Sequence, residues 1–291
     1  MSSPTSSSPL RLLTIVAHPH DVTYTLGTSA HHIDRGDSVT VVTLTDGATT
    51  HDEELEDELR KPADQRRGEI LERPRCQQAD KKEHEIETVC AIFGIKDVRV
   101  LPFADHPIED TPALRRQLCE IFYDVRPHIV ITHAPFDDSL HGFMNRWDDD
   151  HCKTGMIVHQ TMHAVKKADP QRRHSPHHVA QLYYIGVTFG PERIDLYVDV
   201  TDQIDKRIEA EALYESQGHT GELARKRIEA FAGFAGWWGG TGYAEPFLRA
   251  NRQVSRYLLV TDEDLHVAQL SGREQLERIS RFACVQSKGA D

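Results

Sequence analysis

The chain has 291 residues, of which 38% are hydrophobic and 27% are charged, and its formal net charge is −12. This composition can build a packed core, but the negative charge argues against a nucleic-acid partner and against an anionic membrane surface. Five scattered cysteines predict neither a disulfide framework nor a cysteine zinc site, and we expect a cytoplasmic location.

Strands and helices alternate along most of the sequence. Residues 1–9 are rich in serine and proline and are predicted to form a disordered leader. Buried or β-rich apolar runs predict strands at residues 12–17, 38–44, 98–101, 128–132, 181–187 and 196–200. Helical patterns and stop signals predict helices at residues 23–35, 69–93 (interrupted at Pro74), 113–123, 150–166, 203–217 and 222–231.

This order of elements predicts an α/β protein. Alternating strands and helices form right-handed βαβ units, which give a parallel sheet with helices on both faces. Residues 49–63 are acidic and polar and are predicted to be mobile, and residues 134–149 form a long loop. Because no linker divides the chain, we expect one domain over residues 10–291 with an appended C-terminal part.

Histidines and aspartates follow the ends of two predicted strands. His18, His20 and Asp21 come after the first strand, and His151 lies beyond the loop that follows the fourth. In open α/β sheets ligands bind beyond the carboxyl ends of the strands. A catalytic zinc commonly has three protein ligands and an open position, and His18, Asp21 and His151 could supply them. The alternative is that residues 18–21 form only a polar turn.

Three aspartates precede or begin the fourth predicted helix, at residues 150–166. Asp148, Asp149 and Asp150 directly precede His151. A carboxylate at this point is a typical helix N-cap, so one of them is expected to cap the helix.

Several ordered motifs resemble one known family, the LmbE-like or PIG-L N-acetylglucosaminyl deacetylases. Residues 17–22 read Ala-His-Pro-His-Asp-Val, close to the family's Ala-His-Pro-Asp-Asp-Glu, and Asp150-His151 matches its second signature. Further matches, within a resemblance covering about residues 10–250, are Thr45-Asp46-Gly47, Lys82-x-x-Glu85, 198–202, 216–217 and 239–247.

The resemblance implies a fold, a reaction and a metal. The fold is Rossmann-like, and the reaction is zinc-dependent removal of acetyl groups from N-acetylated sugars or related small molecules. Zn²⁺ would be held by His18, Asp21 and His151. The implied partner is therefore a small-molecule substrate, and a homo-oligomer is compatible with the sequence.

Two positions depart from the family pattern. Family members usually have Asp at the position of His20, where it acts as the general base, and often have His at the position of Asp148, where it stabilises the oxyanion. Three alternatives follow for His20: it is the base, as an imidazole can be; it binds the metal together with His18; or hydrolysis is lost, leaving a metal- or sugar-binding pseudoenzyme.

The remaining candidates each have a functional and a structural interpretation. The resemblance groups Asp148 and Asp150 with His20 as catalytic residues. His133, at the end of the fourth strand, is a candidate substrate ligand and oxyanion donor, or it hydrogen-bonds only the neighbouring loop. Lys82 is a candidate substrate-binding cation, or it lies on an exposed helix face.

Overall fold

A seven-stranded sheet forms the centre of the protein. The computed structural model describes residues 8–136, 149–219 and 221–281. The strands are β1 (Arg11–Val16), β2 (Ser38–Thr45), β3 (Asp97–Phe103), β4 (Ile129–Thr132), β5 (Gln181–Ile185), β6 (Leu196–Asp199) and β7 (Ala244–Arg249). Their order across the sheet is β3-β2-β1-β4-β5-β7-β6, with β1 to β5 parallel and β7 antiparallel to both of its neighbours.

Helices cover both faces of this sheet. They are α1 (Leu26–Asp34), α2 (Glu53–Arg60), α3 (Gly68–Leu71), α4 (Arg75–Ile92), α5 (Pro112–Val125), α6 (Asp150–Val165), α7 (Ile204–Glu211), α8 (Gly221–Gly239), α9 (Asp262–Val267) and α10 (Gly272–Ile279). Within the described ranges no helix is both long and apolar enough to cross a membrane.

The alternation of side chains along β1 divides the core into two layers. Leu13 and Ile15 pack with the buried residues of α5 and α6. Leu12 and Val16 pack on the other face, with α1, α4 and α7. Each such side chain, fully buried, stabilises the fold by about 1.5–3 kcal/mol. The prediction of an α/β sheet with helices on both faces is therefore confirmed.

Three predicted elements differ in the structure. Residues 49–63, predicted to be mobile, contain helix α2, whose N-cap Asp52 accepts a hydrogen bond from the Leu55 N–H (3.2 Å) and whose acidic first turn suits the helix dipole. The helix predicted over residues 203–217 ends at Glu211, and the following turn buries Tyr214. Strand β7 is absent from the predicted elements, because Pro246 within it is an unusual strand residue.

The sheet reverses its strand order between β1 and β4. Chain connections lead from β1 to β2 and β3 on one side, and from β4 to β5 on the other, although β1 and β4 are paired neighbours. The carboxyl ends of these two strands therefore flank a crevice of the kind in which α/β proteins bind ligands.

Candidate functional site

A tight turn after β1 fixes the first two residues of the site. His18 caps a 3₁₀ turn that begins at Pro19, a position where the ring of proline costs no hydrogen bond. The His18 N–H donates to Oδ2 of Asp21 at 2.9 Å, and the Asp21 N–H donates to the His18 carbonyl at 3.1 Å. Reciprocal hydrogen bonds within four residues hold both side chains at the crevice.

The third residue, His151, is carried by the first turn of α6. Asp149 caps this helix, accepting hydrogen bonds from the N–H groups of His151 (2.8 Å) and Cys152 (3.3 Å), so the predicted aspartate cap is Asp149. One turn further on, a Cβ at Gly155 would lie 2.5 Å from the His133 carbonyl oxygen. Only glycine lets α6 approach the end of β4 this closely.

These elements bring His18, Asp21 and His151 into one cluster. The Asp21 carboxylate lies 3.4 Å from Nδ1 of His18 and 3.4 Å from Nε2 of His151, and the candidate ligand atoms of all three lie within 4.8 Å of one another. Ligands at about 2.0–2.2 Å from a tetrahedral zinc are separated from one another by roughly 3.3–3.6 Å. The donor types and their spacing therefore fit a zinc ion.

Asp150 lies behind this cluster. Its Oδ2 is 3.1 Å from Nε2 of His18, and its carboxylate also accepts the N–H groups of His106 (2.9 Å) and Ile108 (2.7 Å). The Nδ1 atom of His18 is thereby left on the side of Asp21. A carboxylate on the far nitrogen of an imidazole fixes the ring and its tautomer, which is the arrangement typical of metal-bound histidines.

The cluster attracts positive charge. Burial alone would raise the pKa of Asp21, but the charge of His151 and the close imidazoles of His133, His151 and His18 lower it well below its ordinary value. Burial alone would lower the pKa of His18, but hydrogen bonds to Asp150 and Asp21 outweigh it and raise the pKa to about 9. Two buried carboxylates thus favour a cation at this point.

His133 closes the cluster from β4. Its ring stacks on that of His151, with centroids 4.2 Å apart and planes inclined by 1°. Nε2 of His133 accepts the Ala17 N–H at 3.2 Å and lies 3.3 Å from Asp21. Burial and the charge of His151 lower the pKa of His133 to about 4. The contact with the neighbouring loop is therefore present, and His133 also lines the crevice.

Lys82 is buried, so the interpretation of an exposed helix face is wrong. Only 1% of the residue is exposed, and its Nζ donates to the carbonyl oxygens of Thr50 and His51. Burial lowers its pKa. The ammonium group therefore holds residues 50–51 against the crevice, whose wall it also forms.

His20 faces a second cluster. Its Nε2 lies 3.0 Å from the carboxylate of Glu211, which is fully buried, and its ring meets those of Tyr214 and His219 edge-on at 4.8 Å and 4.6 Å. Burial lowers the pKa of His20 despite Glu211. Nothing in the local sequence indicated Glu211, His219 or Arg227, which α7, α8 and the turn between them bring to the site.

One crevice unites these residues. It has a volume of about 760 Å³, and its lining combines the first cluster with His20, Arg227 and an apolar wall. The wall consists of Phe136, Ile185, Val187, Phe189 and Phe231. Asp148, predicted to be catalytic, lies outside the described residues.

Two buried carboxylates of the family-like motifs join distant segments of the chain. Glu85 of α4 accepts hydrogen bonds from the N–H (2.8 Å) and hydroxyl (2.6 Å) of Ser216. Glu245 of β7 accepts the N–H groups of Gly27 (2.9 Å) and Thr28 (2.8 Å) at the start of α1. Both carboxylates tie distant segments to the elements that carry the site.

The fold and the site together define a Rossmann-like α/β protein with a histidine–carboxylate cluster at the topological switch point. The chain belongs to the PIG-L family: the family model described as GlcNAc-PI de-N-acetylase matches residues 13–162, which are 150 of the 291 residues. A comparison with curated protein sequences finds no match.

Solved structures share the fold. The 4-carboxy-2-hydroxymuconate hydratase GalB of Pseudomonas putida is 19% identical, with a TM-score of 0.68 over 86% of this chain and 100% of its own. A conserved protein of Thermus thermophilus is 21% identical, with a TM-score of 0.64 over 86% and 100%. The N,N'-diacetylchitobiose deacetylase of Pyrococcus horikoshii is 19% identical, with a TM-score of 0.64 over 82% of each chain.

Proposed function

We propose that this protein is a zinc-dependent amide hydrolase that removes acetyl groups from N-acetylated amino sugars or related small molecules. The observation that carries the proposal is the His18–Asp21–His151 cluster at the switch point of a PIG-L family chain. The diacetylchitobiose deacetylase with the same fold supports the choice of reaction and of substrate class.

The crevice suits such a substrate. A volume of about 760 Å³ lies within the range of small-molecule sites. Its polar side chains include Tyr24, Thr50 and Gln217, which can hydrogen-bond hydroxyl groups, and its apolar wall can face a sugar ring or an acetyl methyl group. The net charge of −12 disfavours substrates rich in phosphate.

Three residues hold the metal in the proposed reaction, and a fourth positions one of them. His18, Asp21 and His151 hold the zinc, and Asp150 keeps the His18 ring in place. When bound, zinc lowers the pKa of a coordinated water and polarises a carbonyl group. His133, whose ring stacks on that of His151, is a candidate donor to the developing oxyanion.

His20 is the candidate proton carrier. As the attacking water adds its oxygen to the acetamide carbon, His20 accepts one proton from it. The C–N bond then breaks, and His20 passes that proton to the leaving amine, so the products are the free amino sugar and acetic acid, which releases the second proton of the water to become acetate. Asp148 stays a predicted catalytic residue.

Acetate release tests the proposal. Protein purified without chelator should contain about one zinc per chain and release acetate from a panel of N-acetylated amino sugars. A chelator should abolish the activity and added zinc should restore it. His18→Ala and His151→Ala should each lose most of the zinc, because two ligands do not replace three.

His163→Ala is the matched control, because His163 is an exposed histidine on the same helix as His151. It should retain both zinc and activity. Zinc without acetate release on the whole panel would favour a binding protein, and addition of water to an unsaturated carboxylate would favour a hydratase. Either result would overturn the deacetylase assignment.

A further inference from the structure

The Glu211 carboxylate is buried in the second cluster and surrounded by donors. Its oxygens lie 3.0 Å from Nε2 of His20, 2.7 Å from the Thr23 hydroxyl, 3.0 Å from Nε of Arg227 and 3.2 Å from Nδ1 of His219. Burial alone would raise the pKa of Glu211, but His20, followed by His219 and Thr23, lowers it well below its ordinary value. The Thr23 hydroxyl donating to one oxygen and the Arg227 guanidinium beside the other are the surroundings of an ionised carboxylate.

An ionised carboxylate determines which nitrogen of His20 carries hydrogen. Glu211 can only accept, so Nε2 of His20 must donate to it. A neutral imidazole has one N–H, which leaves Nδ1 as an acceptor. Across residues 8–136, 149–219 and 221–281, no group hydrogen-bonds this Nδ1 atom. The edge-on rings of Tyr214 and His219 fix the orientation of the imidazole.

His20 also lies on the wall of the crevice that contains His18, Asp21 and His151. The family resemblance places an aspartate at position 20, directly beside the metal ligand Asp21. In this chain the carboxylate instead comes from Glu211, which is 191 residues away in sequence and, unlike His20, does not line the crevice.

We propose that Glu211 is a positioning residue that holds His20 with its Nδ1 atom as the proton acceptor of the crevice. A histidine–glutamate pair thereby takes the place of a single aspartate. The kinetic consequence of this inference rests on the proposed function. The tautomer of His20 is independent of that function.

The composition of the second cluster also argues against a metal there. His20, Glu211 and His219 offer ligand atoms within 4.8 Å of one another. However, the Arg227 guanidinium already places a positive charge 3.0 Å from the same Glu211 oxygen. Thr23 occupies the other oxygen. The carboxylate is therefore compensated by hydrogen bonds with His20 and Thr23 and by the charge of Arg227.

Long-range ¹H–¹⁵N spectra of histidine-labelled protein measure the tautomer directly. The His20 signals, assigned by their loss in His20→Asn, should show hydrogen on Nε2 and a bare Nδ1. Hydrogen on Nδ1 would overturn the proposal. This measurement needs neither a Glu211 variant nor an active enzyme, so it stands even if no substrate is found.

Glu211→Gln tests the consequence. With acetate release as the assay, kcat should fall by about 10²-fold or more, since the ring is no longer held in one tautomer, while KM stays within about 3-fold and zinc content is unchanged. Glu211→Asp, which keeps the charge, should recover part of the loss. The control is Glu58→Gln. Glu58 is a buried carboxylate of helix α2 that pairs with Lys61 and Arg67, and it does not line the crevice.

Two further results would overturn the inference. An unchanged kcat in Glu211→Gln with a shifted tautomer would show that the orientation of His20 does not serve the reaction. A second metal equivalent per chain that disappears in His219→Ala would show that the cluster is a cation site. A wild type without any acetate release would instead count against the proposed function.

Discussion

Two clusters of the same residue types lie close to one crevice, which the first lines and the second reaches through His20, yet their surroundings give them opposite electrostatic properties. His18, Asp21 and His151 have Asp150 as an additional carboxylate and no arginine or lysine within ion-pair distance among the described residues. His20, Glu211 and His219 have Arg227 as an additional cation. The first cluster therefore favours a metal ion, whereas in the second the anion is neutralised by the chain itself.

This comparison shows that a list of histidines and carboxylates does not define a metal site. In both sets the candidate ligand atoms lie within 4.8 Å of one another. The groups around the carboxylate decide the outcome, because a buried charge needs partners of opposite sign or hydrogen-bond donors, from the protein or from a ligand. Asp21 has a half-exposed histidine on its open side, whereas Glu211 is completely enclosed.

Removal of the central carboxylate of the first cluster should have the largest effect. Asp21→Asn should lose most of the zinc and lower acetate release by roughly 10³-fold, equivalent to about 4 kcal/mol, because the anionic ligand and its metal are lost together. Elemental analysis and kinetics check both. His219→Ala, in the other cluster, should keep the zinc. Full zinc occupancy in Asp21→Asn would contradict the conclusion that the first cluster, and not the second, favours a metal ion.

His20→Ala should separate chemistry from metal binding. We expect turnover to fall by ~10²–10⁴-fold, the usual size of a lost general base, with zinc still bound. Loss of zinc together with turnover would show instead that His20 is a ligand. Unchanged zinc and turnover would leave it a residue of the loop only.

Asp150→Asn should weaken the first cluster without dismantling it. His106 and Ile108 donate to different oxygens of Asp150, so only one of these two hydrogen bonds can persist to the single amide oxygen, and the anionic partner of His18 is lost. Zinc affinity should fall by about 10- to 100-fold, the usual effect of such a partner. Competition with a chelator of known affinity measures it. An affinity equal to that of wild type would contradict the positioning role.

Gly155→Ala should disturb the contact that brings α6 to β4. The new Cβ would lie 2.5 Å from the His133 carbonyl oxygen, so the free energy of unfolding should fall by about 1–3 kcal/mol. Gly233→Ala on α8 is the matched control, because its Cβ would meet only Tyr243 at 3.6 Å. That variant should be neutral or more stable by up to ~1 kcal/mol. Urea unfolding compares the two, and equal losses would refute the close-approach argument.

Acid should reduce the contribution of Glu211 to stability. Because its pKa is lower in the folded chain than the ordinary value of 4.5, its ionised form stabilises the fold above about pH 4.5, and this contribution is lost as the pH falls below that value. Wild type should therefore exceed Glu211→Gln in stability at pH 7, with the difference narrowing below pH 4.5. Urea unfolding across this range checks it, and a constant difference would contradict an ionised Glu211.

The sequence by itself determined the sheet and one of the two clusters. Apolar runs with turn signals define β1 and β4 locally, and parallel strands place their carboxyl ends at one edge of the sheet. His18, Asp21 and His151 could therefore be proposed before their distances were known. Asp149 as the cap of α6 also follows from local chemistry alone.

Only the tertiary structure decided the rest. Glu211 reaches His20 across 191 residues, and Arg227 arrives from another helix, so no local pattern encodes their meeting. Lys82 has the sequence of an exposed helix position, yet packing against residues 50–51 buries it. Local sequence sets which elements form, but the charge around a buried group depends on side chains contributed by elements that only the complete fold brings together.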